Sequence, residues 1–124
     1  MRFSSRSRAT QPAPNVASHF AKSSTSVART YQAILKAARA LGPLREEAKK
    51  TSIHLVRDKA FAGVATRKDA IILTLKAERP IASPRIHRSE KASANRWHHE
   101  IRLTAPSDVD AELRTWLSQA YALG

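Results

Sequence analysis

The sequence predicts an α+β domain: a four-stranded antiparallel sheet with an N-terminal and a C-terminal helix packed on one face, in the order α-β-β-β-loop-β-α. Three observations carry this. Residues 27–41 and 109–121 repeat apolar side chains at helical spacing. Residues 51–56, 61–66, 71–75 and 97–104 read as strands, the last alternating apolar and polar side chains most cleanly. The first three strands are separated by short polar turns, which join neighbours as antiparallel hairpins.

The chain begins with MRFSSRSRATQPAP, which is rich in Arg and Ser and has no acid. It has no apolar core of the kind a secretory signal needs. We read residues 1–20 as a disordered basic tail and 21–124 as a single domain. Ser23 to Ser26 offer N-caps for the first helix, whose stripe is Val27, Tyr31, Ile34, Leu35, Ala38 and Leu41. Gly42-Pro43 ends it.

Ile53 and Leu55 mark the first strand, with His54 pointing the other way. Gly63 interrupts the second as a bulge or a close contact. Ile71, Leu73 and Leu75 share one face of the third. Residues 78–96 then carry Pro80 and Pro84, which forbid a central strand, so this segment reads as a long basic loop. In the last strand Trp97, His99, Ile101 and Leu103 face one way and His98, Glu100 and Arg102 the other. Pro106 stops it. Ser107 then reads as the N-cap of the closing helix, with Asp110 as its capping-box partner. Asp108, Asp110 and Glu112 suit the positive end of that helix. Val109, Leu113, Trp116, Leu117, Ala120 and Tyr121 form its apolar stripe.

The net charge of +12 is uneven. Residues 1–22 hold four basic groups and no acid, and residues 79–96 hold five against one. Residues 97–124 hold two against four. Such asymmetry favours polyanionic partners without specifying a fold. With no cysteine, the chain has neither disulfides nor thiolate chemistry. No apolar run reaches bilayer-spanning length, so no membrane partner is expected. Three glycines exclude a phosphate-cradling glycine loop.

A resemblance follows from the order of HF at 19–20, LGP at 41–43, KTSIHL at 50–55, FAGV at 61–64, ILTL at 72–75, SPR at 83–85, RWHHEIRL at 96–103 and DVDAELRTWLSQAY at 108–121. The chain resembles the bacterial domain of unknown function 5655 from about His19 to Leu123. That resemblance implies a cytoplasmic α+β module, sometimes appended to other domains, and no assigned activity.

Three functions are therefore compared. The first is a small non-catalytic interaction or adaptor domain, whose partner is another protein or a fused domain. The second is a non-specific nucleic-acid-associated domain using Arg79, Arg85, Arg88, Lys91 and Arg96 of the basic segment. The third is a small-ligand or enzymatic pocket near His54 and His99, with Trp97 beside it. His99 also has a plainer reading as a hydrogen-bonded core histidine, since it lies on the apolar face of its strand. His98 and His99 point to opposite faces and cannot chelate one metal together. No catalytic residue, metal or cofactor is assigned from the sequence.

Overall fold

A computed structural model describes residues 15–124 of the protein. Most of the expected tail, residues 1–14, lies outside them. Residues 15–20 do not belong to a tail. Ala17–Phe20 form a 3-10 turn, and the Phe20 ring packs 5.1 Å from Tyr31. The Thr66 hydroxyl donates to the His19 carbonyl at 2.6 Å, which ties this turn to the sheet.

Helix α1 is Thr25–Arg39. Strands β1 Arg45–Ala48, β2 Ile53–Val56, β3 Ala60–Thr66, β4 Ile71–Ala77, β5 Ile86–Ser93 and β6 Arg96–Leu103 follow. A 3-10 turn, Pro106–Asp108, leads to α2, Ala111–Ala122. The α+β class stands, with two helices and an antiparallel sheet. The sheet, however, has six strands rather than four, in the order β1-β2-β3-β4-β6-β5.

The two additional strands lie at the edges. β1 reads REEA and carries no apolar alternation; Glu46 faces the helices and accepts a 2.6 Å bond from the Tyr31 hydroxyl. β5 falls in the segment expected to be a loop. Pro80 and Pro84 do lie outside any strand, but residues 86–93 pair with β6. An edge strand needs hydrogen bonds on one side only and little burial, so its composition does not announce it.

The core joins Ile53, Leu55, Val64, Leu73, Leu75, Ile101 and Leu103 of the sheet to Val27, Tyr31, Ile34 and Leu35 of α1 and to Leu113, Trp116, Leu117 and Tyr121 of α2. α2 lies over β3 and β4, while α1 packs against α2, β4 and the second 3-10 turn. Two helix boundaries differ from expectation. α1 stops at Arg39, so Leu41 lies beyond the stripe and is 38% exposed. α2 is capped by Asp110, whose carboxylate accepts from the Leu113 amide at 3.0 Å, not by Ser107. Ser107 falls inside the 3-10 turn, and Asp108 there accepts from the Thr104 and Ala105 amides. Gly42 has φ +152°, and a side chain there would strike the Tyr121 hydroxyl. The Tyr121 hydroxyl in turn donates to the Pro43 carbonyl at 2.9 Å.

Candidate functional site

The helices cover one face of the sheet and leave the other open. Cross-strand register sets the chemistry of the open face. His54, Gly63, Thr74 and Glu100 lie in one row, and Lys76 and His98 are partners in the next. Directly opposed residues have Cβ atoms about 5 Å apart. Gly63 contributes no side chain, so the row has a gap between His54 and Thr74.

That gap opens into a depression of about 410 Å³. β3 lines it with the small apolar residues Ala60, Ala62, Gly63 and Ala65 and with Phe61. Ser52, His54, Thr74, Lys76 and His98 supply the polar groups. A Cβ added at Gly63 would lie 3.9 Å from both His54 and Thr74, an ordinary contact. The glycine is thus not required by its backbone. Its effect is to keep the depression deep.

Lys76 is the one ammonium in the lining. Among the described residues no carboxylate lies within ion-pair distance of it. Partial burial lowers its pKa, and the nearby charges of Arg96 and Lys59 lower it further. An incoming anion would relieve that repulsion.

The expected pocket of His54, His99 and Trp97 does not form. His54 and His99 stand on opposite faces because His99 pairs with Leu75, in the row of Leu55, on the core side. His99 is fully buried. Its Nε2 donates to the Arg79 carbonyl at 3.0 Å, since a carbonyl only accepts, and its Nδ1 bonds the Ser89 hydroxyl at 2.8 Å. Both ring nitrogens are therefore committed to the fold. Trp97 does meet His99, with parallel rings 6.1 Å apart, but away from His54.

The five expected polyanion-binding residues do not form one surface either. Arg85 is structural: its Nη1 lies 2.9 Å from Asp110 and 3.1 Å from Glu112, its Nη2 donates to the Asp108 carbonyl at 2.8 Å, and its guanidinium sits 5.7 Å over Trp116. Arg88 pairs opposite Glu100 on the open face, whereas Lys91 pairs opposite Trp97 on the other and lies 6.0 Å over its ring. Arg96 opens β6 and donates to the Asn95 carbonyl. Arg79 contributes its main chain to His99. Alternation along a strand separates what proximity in sequence suggested.

Residues missed at this site are Lys76 and the paired His98. Lys76 lies within β4, the most apolar strand of the chain, and only its register opposite His98 places it beside the row of His54. A family model described as domain of unknown function (DUF5655) matches residues 16–124. The chain belongs to this family. The match takes in all the described residues but Asn15, including the turn at Ala17–Phe20 that was expected to be tail. Comparison with curated proteins and with solved structures finds no match. Among the described residues no three His, Cys, Asp or Glu side chains are grouped to hold a metal ion, and no helix is long and apolar enough to cross a membrane.

Proposed function

We propose that the domain is a non-catalytic ligand-binding module that takes a small organic acid on the open face of its sheet. The observation that carries this reading is the depression itself: an apolar floor for the body of the ligand, and the unpaired Lys76 ammonium with two imidazoles for its carboxylate. Its volume falls in the usual range of small-molecule sites, about 300–1,000 Å³. An enzymatic use of His99 is disfavoured, because a buried imidazole bonded at both nitrogens has no lone pair or proton to offer a substrate.

The interaction-module reading gains no support from the sheet edges. Both sheet edges are guarded against strand addition: β1 is four residues long and charged, and β5 carries Arg88, Glu90 and Lys91 with two register shifts.

The test is a titration with butyrate followed by amide resonances. Shifts should concentrate at residues 54, 63, 74, 76 and 98 and be lost in Lys76→Gln. Shifts scattered over the basic surface, or none on this face, would reject the reading.

A further inference from the structure

At one end of the sheet a second cavity, of about 530 Å³, opens between three segments: the N-terminal turn, the β1–β2 turn and the β3–β4 turn. Lys22, Lys50, Arg67 and Lys68 line it, and no acid does. The walls are pinned to one another by main-chain acceptors. The Ser23 hydroxyl donates to the Arg67 carbonyl at 2.9 Å, and His19 Nε2 donates to the Lys49 carbonyl at 2.8 Å. The Ser24 amide donates to the Lys68 carbonyl at 2.8 Å, beside the Thr66–His19 bond already described. The fold thus holds four cations around one cleft, and of their charged heads only the Arg67 guanidinium is bonded within the chain among the described residues, donating to the Thr66 carbonyl at 3.2 Å.

None of the four meets a carboxylate within ion-pair distance among the described residues, whereas their neighbour Lys49 is paired with Glu47 at 3.3 Å. Clustered like charges oppose folding unless an anion joins them. Apart from the His19 imidazole, whose Nε2 is held on the Lys49 carbonyl, the lining offers no aromatic ring on which a base or nucleoside would stack. Three of the local amides are spent: Ser23 on the Phe20 carbonyl, Ser24 on Lys68 and Arg67 on Ala70. A tight nest for a free phosphate uses such amides. Here four cationic side chains dominate the lining, which suits a phosphate chain gripped without base reading. Residues 1–14 of the sequence hold Arg2, Arg6 and Arg8 and no acid.

We infer that this cleft binds the phosphodiester backbone of a nucleic acid, without sequence preference, through Lys22, Lys50, Arg67 and Lys68. The inference is independent of the open-face site, and it moves the nucleic-acid contact away from the 79–96 segment.

The test uses the full chain and a labelled DNA duplex, with anisotropy measured between about 50 and 200 mM salt. Lys50→Gln with Lys68→Gln should weaken binding to every sequence alike. It should also lower the steepness of log affinity against log salt by about 1.8, at about 0.9 per lost phosphate contact. Both lysines are exposed, and a circular dichroism melt checks that the variant folds. Arg88→Gln with Lys91→Gln, on β5, should leave the slope unchanged. The inference fails if the Lys50/Lys68 variant binds like the parent. It fails equally if the parent binds phosphatidylserine vesicles but no DNA, or if only the β5 variant loses binding.

Discussion

The Arg85 guanidinium grips the Asp110 carboxylate at 2.9 Å, joining the chain just before β5 to the residue that caps α2. The same arginine reaches the Asp108 carbonyl, so one side chain locks the entry to β5 onto the 3-10 turn and the helix behind it. A residue counted by charge as a polyanion contact is thus a clamp within the fold.

Arg85→Gln should lower stability by about 1 kcal/mol, the net scale of one hydrogen bond. Its carboxylate partners are half exposed, so the ion pairs themselves add little. Urea unfolding measures the loss. Duplex binding by the same variant should keep the parental salt slope; a flatter slope would return Arg85 to the surface that meets phosphate.

His99→Ala removes two hydrogen bonds and a fully buried ring. The expected cost is on the order of 2–4 kcal/mol, combining a cavity with the lost bonds. The butyrate titration of this variant, recorded where it remains folded, should match that of the parent, because His99 lies on the other side of the sheet. A stability change below about 0.5 kcal/mol, typical of surface positions, would contradict its core placement.

Asp108 links stability to pH. Bonds from the Thr104 amide lower its pKa, opposed by partial burial and reinforced by the Ala105 amide. A carboxylate with a lowered folded pKa contributes its full stability above the ordinary aspartate pKa of about 3.9. That contribution is lost as pH falls from there through the folded value. Asp108→Asn should therefore flatten the acid limb of a stability–pH curve and leave the slope of its neutral plateau unchanged. Parallel acid limbs in the two proteins would show that the turn does not titrate.

Gly63→Ala should stabilise the domain by roughly 0.5–1 kcal/mol, since glycine within a strand carries an entropic penalty and the added methyl meets only ordinary contacts. The same methyl raises the floor between His54 and Thr74, so butyrate affinity should fall. A stabilised protein that binds butyrate unchanged would separate the glycine from the site.

The sequence by itself determined the α+β class, both helical stripes and four of the six strands. In each case burial on one side imposes a period that composition records: Val27, Tyr31 and Ile34 on α1, and Trp97, His99 and Ile101 on β6. It also indicated that His99 shares the apolar face, which the core confirms. The tertiary structure alone decided the edges, because β1 and β5 take their form from hydrogen bonds offered by β2 and β6 rather than from burial of their own side chains. It alone decided the sites as well. Register across β2, β3, β4 and β6 places Lys76 and His98 by the depression next to His54, and the turns at 49–52 and 67–70 bring Lys50 and Lys68 to a common cleft with Lys22. These residues are far apart along the chain, and pairing between strands, which no local pattern encodes, is what makes them neighbours.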